Sequence, residues 1–144
     1  KLEGAALALS EIGRRHPELA GRIGEALSGL YRDSMPVGTL GLHHQVCAAL
    51  EALARMLPAY PDGLSCLMEA LEWDDGRHSG RYPHSTGVHV AGYLAEAGAT
   101  SPDVIIALLE MLGGPEPDHT GFPFDEDLAG WRSAAWRALD RIIR

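Results

Sequence analysis

The sequence predicts an all-α protein of three antiparallel helix pairs followed by one further helix at the C-terminus. Three observations predict it. Three proline-led segments carry matching residues at matching offsets, an amphipathic stretch rich in small residues stands upstream of each, and the prolines recur after 44 and 41 residues. That interval is what two helices and their turns fill in a repeat array.

The proline-led segments are "HPELAGRIGEAL" from His16, "YPDGLSCLMEAL" from Tyr60 and "SPDVIIALLEML" from Ser101. Pro17, Pro61 and Pro102 suit the first helical position, where the missing N–H has no intrahelical partner to lose. The next residue is an acid in each copy, Glu18, Asp62 or Asp103, which favours the positive end of the helix dipole. Six residues after the proline stands Ile23, Leu67 or Leu108, and ten after it Leu27, Leu71 or Leu112. Eight after it stands Glu25, Glu69 or Glu110. At 3.6 residues per turn, offsets three, six and ten share one face, while the acids at one and eight share another, about two turns apart. Each segment is the second helix, B, of a pair.

The first helix, A, ends in "LSEIG" (Leu9 to Gly13), "LARML" (Leu53 to Leu57) or "LAEAG" (Leu94 to Gly98), at the same distance from the proline each time. Upstream lie Ala5 and Ala6, Ala48 and Ala49, and Ala91 and Gly92, small residues that let a neighbouring helix approach closely. The turns "RRHP", "PAYP" and "ATSP" join A to B, and "GWRSAAWRALDRIIR" is a fourth helix A with no B after it. The units span about 1–31, 43–73, 86–112 and a partial 127–144, within a single domain of 1–144. One pair cannot hide its apolar stripe alone, so the pairs must stack. The truncated last unit leaves Trp131, Ala135, Leu139 and Ile142 at an uncapped end, where contact with another domain or chain is expected. Since the sequence opens on Lys1 rather than methionine, the chain is expected to be a piece of a longer protein.

Composition narrows the class. The 144 residues are 46% hydrophobic, enough for a real core and too many for a disordered chain. The net charge is -8, from 20 acidic and 12 basic residues, and every cation except Lys1 is arginine. That balance argues against sequence-independent nucleic-acid binding, which needs clustered cations on phosphates, and it admits a basic protein partner. No apolar run reaches the roughly 20 residues of a membrane span, and no signal peptide is visible. Cys47 and Cys66 sit in apolar helical patterns without Cys-x-x-Cys spacing, as small core residues of a reducing, cytoplasmic compartment do.

The paired amphipathic helices, the small residues of helix A and the proline–acid start of helix B resemble HEAT-like and armadillo-type repeats over nearly the whole length. The Asp/Arg pattern between helices of well-formed HEAT units is not clear, so an armadillo-like or irregular array stays open. The resemblance implies a right-handed α–α superhelix, used mainly to hold partners, with the B helices lining its concave side.

Two surfaces follow as candidates. Stacking would set Glu18 and Glu25, Asp62 and Glu69, and Asp103 and Glu110 side by side, a row of carboxylates for the arginines or lysines of a partner. The helix dipole and ordinary solvation account for the same acids without any partner. The second surface is formed by the connections "RDSMPVGTLGLH" from Arg32, "WDDGRHSGRYPHS" from Trp73 and "GGPEPDHTGFPFDED" from Gly113. Each joins a helix B to the next helix A, so all three emerge on one edge, and loops of 12 to 15 residues are usually functional or disordered. They carry Trp73, Asp74, Asp75, Arg77, His78, Arg81, Tyr82, His84, Asp118, His119, Phe122 and Phe124. Aromatics beside arginines are interaction hot-spot types, and the alternative is that the aromatics fold back and seal the core.

Signatures of chemistry are weak. The seven histidines lack His-x-x-x-His spacing, and "WDDGRHSG" lacks the alternating ligands and final glutamate of a calcium loop. The His-Glu pairs that mark di-iron hydroxylases on HEAT-like repeats are absent, no serine has a Gly-x-Ser-x-Gly setting, and "GTLGLHH" is not a phosphate cradle. The expected function is a non-catalytic protein–protein interaction scaffold or docking module, with no metal or other cofactor, no nucleic acid and no membrane. The alternative is an enzyme or metal-binding module on the loops, built around His78, His84 and His119.

Overall fold

Pro17 and Pro102 open helices as their offsets require. The computed structural model describes the backbone of residues 2–34, 40–73, 83–113 and 125–144, and side-chain surroundings over 4–34, 45–71, 89–112 and 133–144. Among these residues the chain forms seven α-helices: α1 (Leu2–Arg15), α2 (Pro17–Ser34), α3 (Leu40–Arg55), α4 (Leu64–Trp73), α5 (Pro83–Glu96), α6 (Pro102–Gly113) and α7 (Asp125–Ile143). No strand occurs among the described residues, so the protein is all-α.

Local hydrogen bonds explain the turns. The His16 carbonyl accepts from Leu19 N–H at 2.8 Å while His16 N–H donates to the Ile12 carbonyl at 2.8 Å, so α1 passes into α2 through one residue. The Ser101 carbonyl accepts from Val104 and Ile105 N–H at 3.1 and 3.2 Å and closes the first turn of α6. At Pro61 the expectation needs correction, because a 3-10 turn, Pro61–Gly63, precedes α4. Gly63 N–H donates to the Tyr60 carbonyl at 3.1 Å, a three-residue closure. Glycine suits the spot, since a Cβ there would stand 3.2 Å from Leu53 Cδ2. After α5, Gly98 takes φ +66. Ala99 N–H donates to the Leu94 carbonyl (3.0 Å) and Gly98 N–H to that of Ala95 (3.1 Å), a Schellman cap that satisfies the last carbonyls of the helix.

The long connections are also shorter than expected. Helices reach into all three and leave only 35–39, 74–82 and 114–124 between them. Pro83 is a further helix-opening proline. Asp125, Glu126 and Asp127 are acids in a first helical turn, where the dipole favours them. The first gap is of ordinary length for a helix–helix joint.

The chain falls into two compact units, Lys1–Leu67 and Met68–Arg144. In the first, α1 packs on α2, and both pack on α3. Helix α3 carries the centre of this core: Val46, Ala49, Leu50, Ala52 and Leu53 are fully buried, as is Met56 just past its end. A methyl group on Gly13 of α1 would sit 2.5 Å from Met56 Cε, so glycine permits this close approach. In the second unit α5 and α6 both pack on α7. Its core holds Val90, Ala91, Leu94, Val104, Leu108 and Ala135, all fully buried. Each large aliphatic side chain so placed contributes about 1.5–3 kcal/mol.

The C-terminal helix is turned differently from the expectation. Ala135 and Leu139 are buried and Ile142 is half-buried, so this face of α7 belongs to the core of its unit and is not an uncapped end. Among the described residues the exposed large apolar side chains of α7 are instead Trp136 (63%) and Ile143 (74%), and the side chain of Trp131 lies outside them. Among the described residues no helix is long and apolar enough to cross a membrane.

Candidate interaction surfaces

Burial follows the offsets in all three proline-led segments. Leu67 and Leu108 are buried and Ile23 is half-buried six residues after the proline; Leu27 and Leu71 are buried and Leu112 is half-buried ten after it. Glu18, Glu25, Asp62, Glu69, Asp103 and Glu110 are all exposed. A helix that hides offsets six and ten must turn offsets one and eight to solvent.

Three other acids are paired with arginines three or four residues further on, whereas Asp33 and Glu96, like most of these six, make no ion pair among the described residues. On α1, Glu11 is paired with Arg14 (3.3 Å) and Arg15 (3.0 Å). On α3, Glu51 is paired with Arg55 (3.4 Å), and on α7 Asp140 with Arg144 (3.0 Å). Among the described residues Glu18 has only His16 Nδ1 beside it at 3.4 Å, an ion pair when that imidazole is protonated. Glu25, Asp62, Glu69, Asp103 and Glu110 make no ion pair among the described residues. Arg22 stands one turn from both Glu18 and Glu25 and bridges to neither. Helices α4 and α6 contain no basic residue at all. In the first unit Asp62 belongs to the 3-10 turn that packs beside α2, the helix of Glu18 and Glu25. In the second unit Glu69 lies on α4, and Asp103 and Glu110 on α6.

The loop surface lies largely outside the described residues: Asp74, Asp75, Arg77, His78, Arg81, Tyr82, Asp118, His119, Phe122 and Phe124. Trp73 closes α4 and His84 is the second residue of α5, with side chains outside the described set. No group of three histidine, cysteine or acidic side chains gathers among the described residues. Cys66 is buried in α4 and Cys47 half-buried in α3, with no disulfide between them.

The sequence reading overlooked one class of surface, the exposed large apolar side chains. Among the described residues these are Leu9 and Ile12 on α1, Ile106 and Leu109 on α6, and Trp136 and Ile143 on α7. A signal for the second pair was there. Offsets four and seven hold Gly21 and Gly24 in the first segment, Ser65 and Met68 in the second, and Ile106 and Leu109 in the third. Apolar residues on the outward side of an amphipathic helix indicate a surface that something can cover.

Compared with models of known families, with curated proteins and with solved structures, the chain matches none.

Proposed function

We propose that this chain is a protein–protein interaction module, a HEAT-like α-solenoid that serves as a scaffold or docking site. Its B helices offer carboxylates to a partner bearing arginine or lysine. One observation carries the reading: acids at the same two offsets are exposed in all three segments, and five of the six have no ion-pair partner among the described residues. An exposed, unpaired carboxylate gives up no internal contact when a partner cation arrives, and a field of one sign speeds encounter and selects the partner's charge.

Spacing limits the partner. Acids seven residues apart on a helix are about 10 Å apart along its axis. A polyproline II segment covers about that distance in three residues, one full turn that brings the side chain back to the same side. The matching ligand is an extended segment with a basic residue at every third position, or a helix with basic residues seven apart.

The test titrates a fluorescent peptide carrying arginine at every third position into the wild-type chain and into a Glu25→Lys, Glu69→Lys double variant. Binding should weaken at least tenfold in the variant, and its salt dependence should flatten. Equal affinity in the two chains at low salt discards the reading.

A further inference from the structure

Among the described side chains, helices α6 and α7 of the second unit each expose two large apolar groups, and α6 exposes acids where α7 exposes mainly arginines. On α6, Ile106 is 53% and Leu109 51% exposed, beside Asp103 and Glu110. On α7, Trp136 and Ile143 are the most exposed large hydrophobics among the described residues, on a side that also carries Arg137 and Arg141, with Arg144 just past the helix end. Asp140, already held by Arg144, is the one acid there among the residues whose side chains are described. Arg137 and Arg141 make no ion pair among the described residues.

The order of these groups around each helix matters more than their number. At about 3.6 residues per turn, the exposed side of α6, followed in one rotational sense, runs from Leu109 through Pro102 and Ile106 to Glu110 and Asp103. The exposed side of α7, followed in the same sense, runs from Ile143 and Trp136 through Asp140 and Arg144 to Arg137 and Arg141. Both helices therefore present an apolar flank and then a charged flank. When two helices lie antiparallel, flanks that follow in the same sense fall on the same side of the contact. Apolar then meets apolar, and acid meets arginine. A parallel pairing would cross them. In the register that sets Leu109 opposite Trp136, Asp103 comes level with Arg141, and Glu110 lies within one turn of Arg137.

We propose that the occupant of both faces is a second copy of this chain, with α6 of one copy lying antiparallel on α7 of the other. A stable interface hides about 1,200–2,000 Å², more than one helix of 12 residues supplies. A twofold pair makes the contact twice, because each copy contributes both faces. The apolar flanks supply the affinity, and the charges set the orientation. This extends the preceding proposal at one of its acidic pairs, Asp103 and Glu110. Glu25 and Glu69 play no part in it, so the peptide titration and the assembly measurement fail independently.

The test is sedimentation velocity over a range of chain concentrations. The expected species is a dimer, twice the 15.4 kDa chain. Ile106→Asp and Trp136→Ser should each raise its dissociation constant at least tenfold while leaving the helical circular dichroism unchanged. A chain with Asp103→Arg and Glu110→Arg, and another with Arg137→Glu and Arg141→Glu, should each be monomeric alone and pair when mixed. A monomer at every concentration overturns the proposal and leaves these faces to another protein. A mass that keeps growing beyond the dimer also overturns it, as does a dimer indifferent to Ile106→Asp and Trp136→Ser.

Discussion

The ring of Tyr60 fills the space where any residue but glycine at position 24 would carry its Cβ. Tyr60 ends the turn between α3 and α4, and Gly24 is buried within α2, so one aromatic side chain locks that turn onto the first helix pair. Alanine at position 24 would gain up to about 1 kcal/mol of helix propensity. Overpacking against the ring costs about 1–3 kcal/mol. Gly24→Ala is therefore expected to lower stability in urea unfolding. In a Tyr60→Ala background the same change should raise it, since the obstacle is gone.

Gly98 and Gly21 should respond in opposite directions. Gly98 holds φ +66, where a Cβ costs about 1–2 kcal/mol. Gly21 is exposed in the middle of α2 with nothing within 4 Å of an added Cβ. Gly98→Ala should lower the melting temperature, and Gly21→Ala should raise it by up to about 1 kcal/mol in stability. Differential scanning calorimetry of the two variants decides this.

Leu9 and Leu53 occupy the same place relative to their prolines but have different surroundings. Leu53 is fully buried beneath the first helix pair, whereas Leu9 is 39% exposed on α1, with no described helix before it. Leu53→Ala should cost about 2–5 kcal/mol, as cavities in packed cores do. Leu9→Ala should cost under about 1 kcal/mol, a surface-sized effect. Chemical denaturation midpoints of the two variants measure the gap.

The Cys66 thiol lies in the core of the first unit at 1% exposure. A maleimide should reach it only through unfolding, so its labelling rate should rise with denaturant in step with loss of helical signal. Cys47→Ser removes the other thiol from the assay. Rapid labelling of Cys66 in native buffer would contradict the packing around α4.

The backbone plan was legible because its signals are local. Proline at a first turn, an acid behind it and apolar residues at 3.6 spacing act within one helix, and α2 and α6 start where those signals put them. The 3-10 turn at Pro61 was not legible, because the proline–acid start that opens α2 and α6 fits a 3-10 turn equally well, and the room at Gly63, where a Cβ would meet Leu53, is set by another helix. Pro83 was misplaced in a loop because Tyr-Pro-His reads equally as a turn. The phase of α7 depends on how α5 and α6 cover it, and so does the exposure of Trp136. The acids were legible as a surface because burial of offsets six and ten turns offsets one and eight outward. Whether the first acid serves the dipole or a partner is a matter of unpaired charge, which spacing does not reveal.

Gly13, Leu57 and Gly98 stand at one column of the threefold alignment. Gly13 is inside α1 beneath Met56, Leu57 lies in the turn after α3, and Gly98 is the left-handed cap of α5. A designer who averaged the copies into an idealised module would write glycine in that column and regard it as conserved for a single reason. Chains built from that template would inherit two incompatible instructions, one to continue the helix and one to stop it. A faithful synthetic array would have to treat the members of the column as three separate inventions.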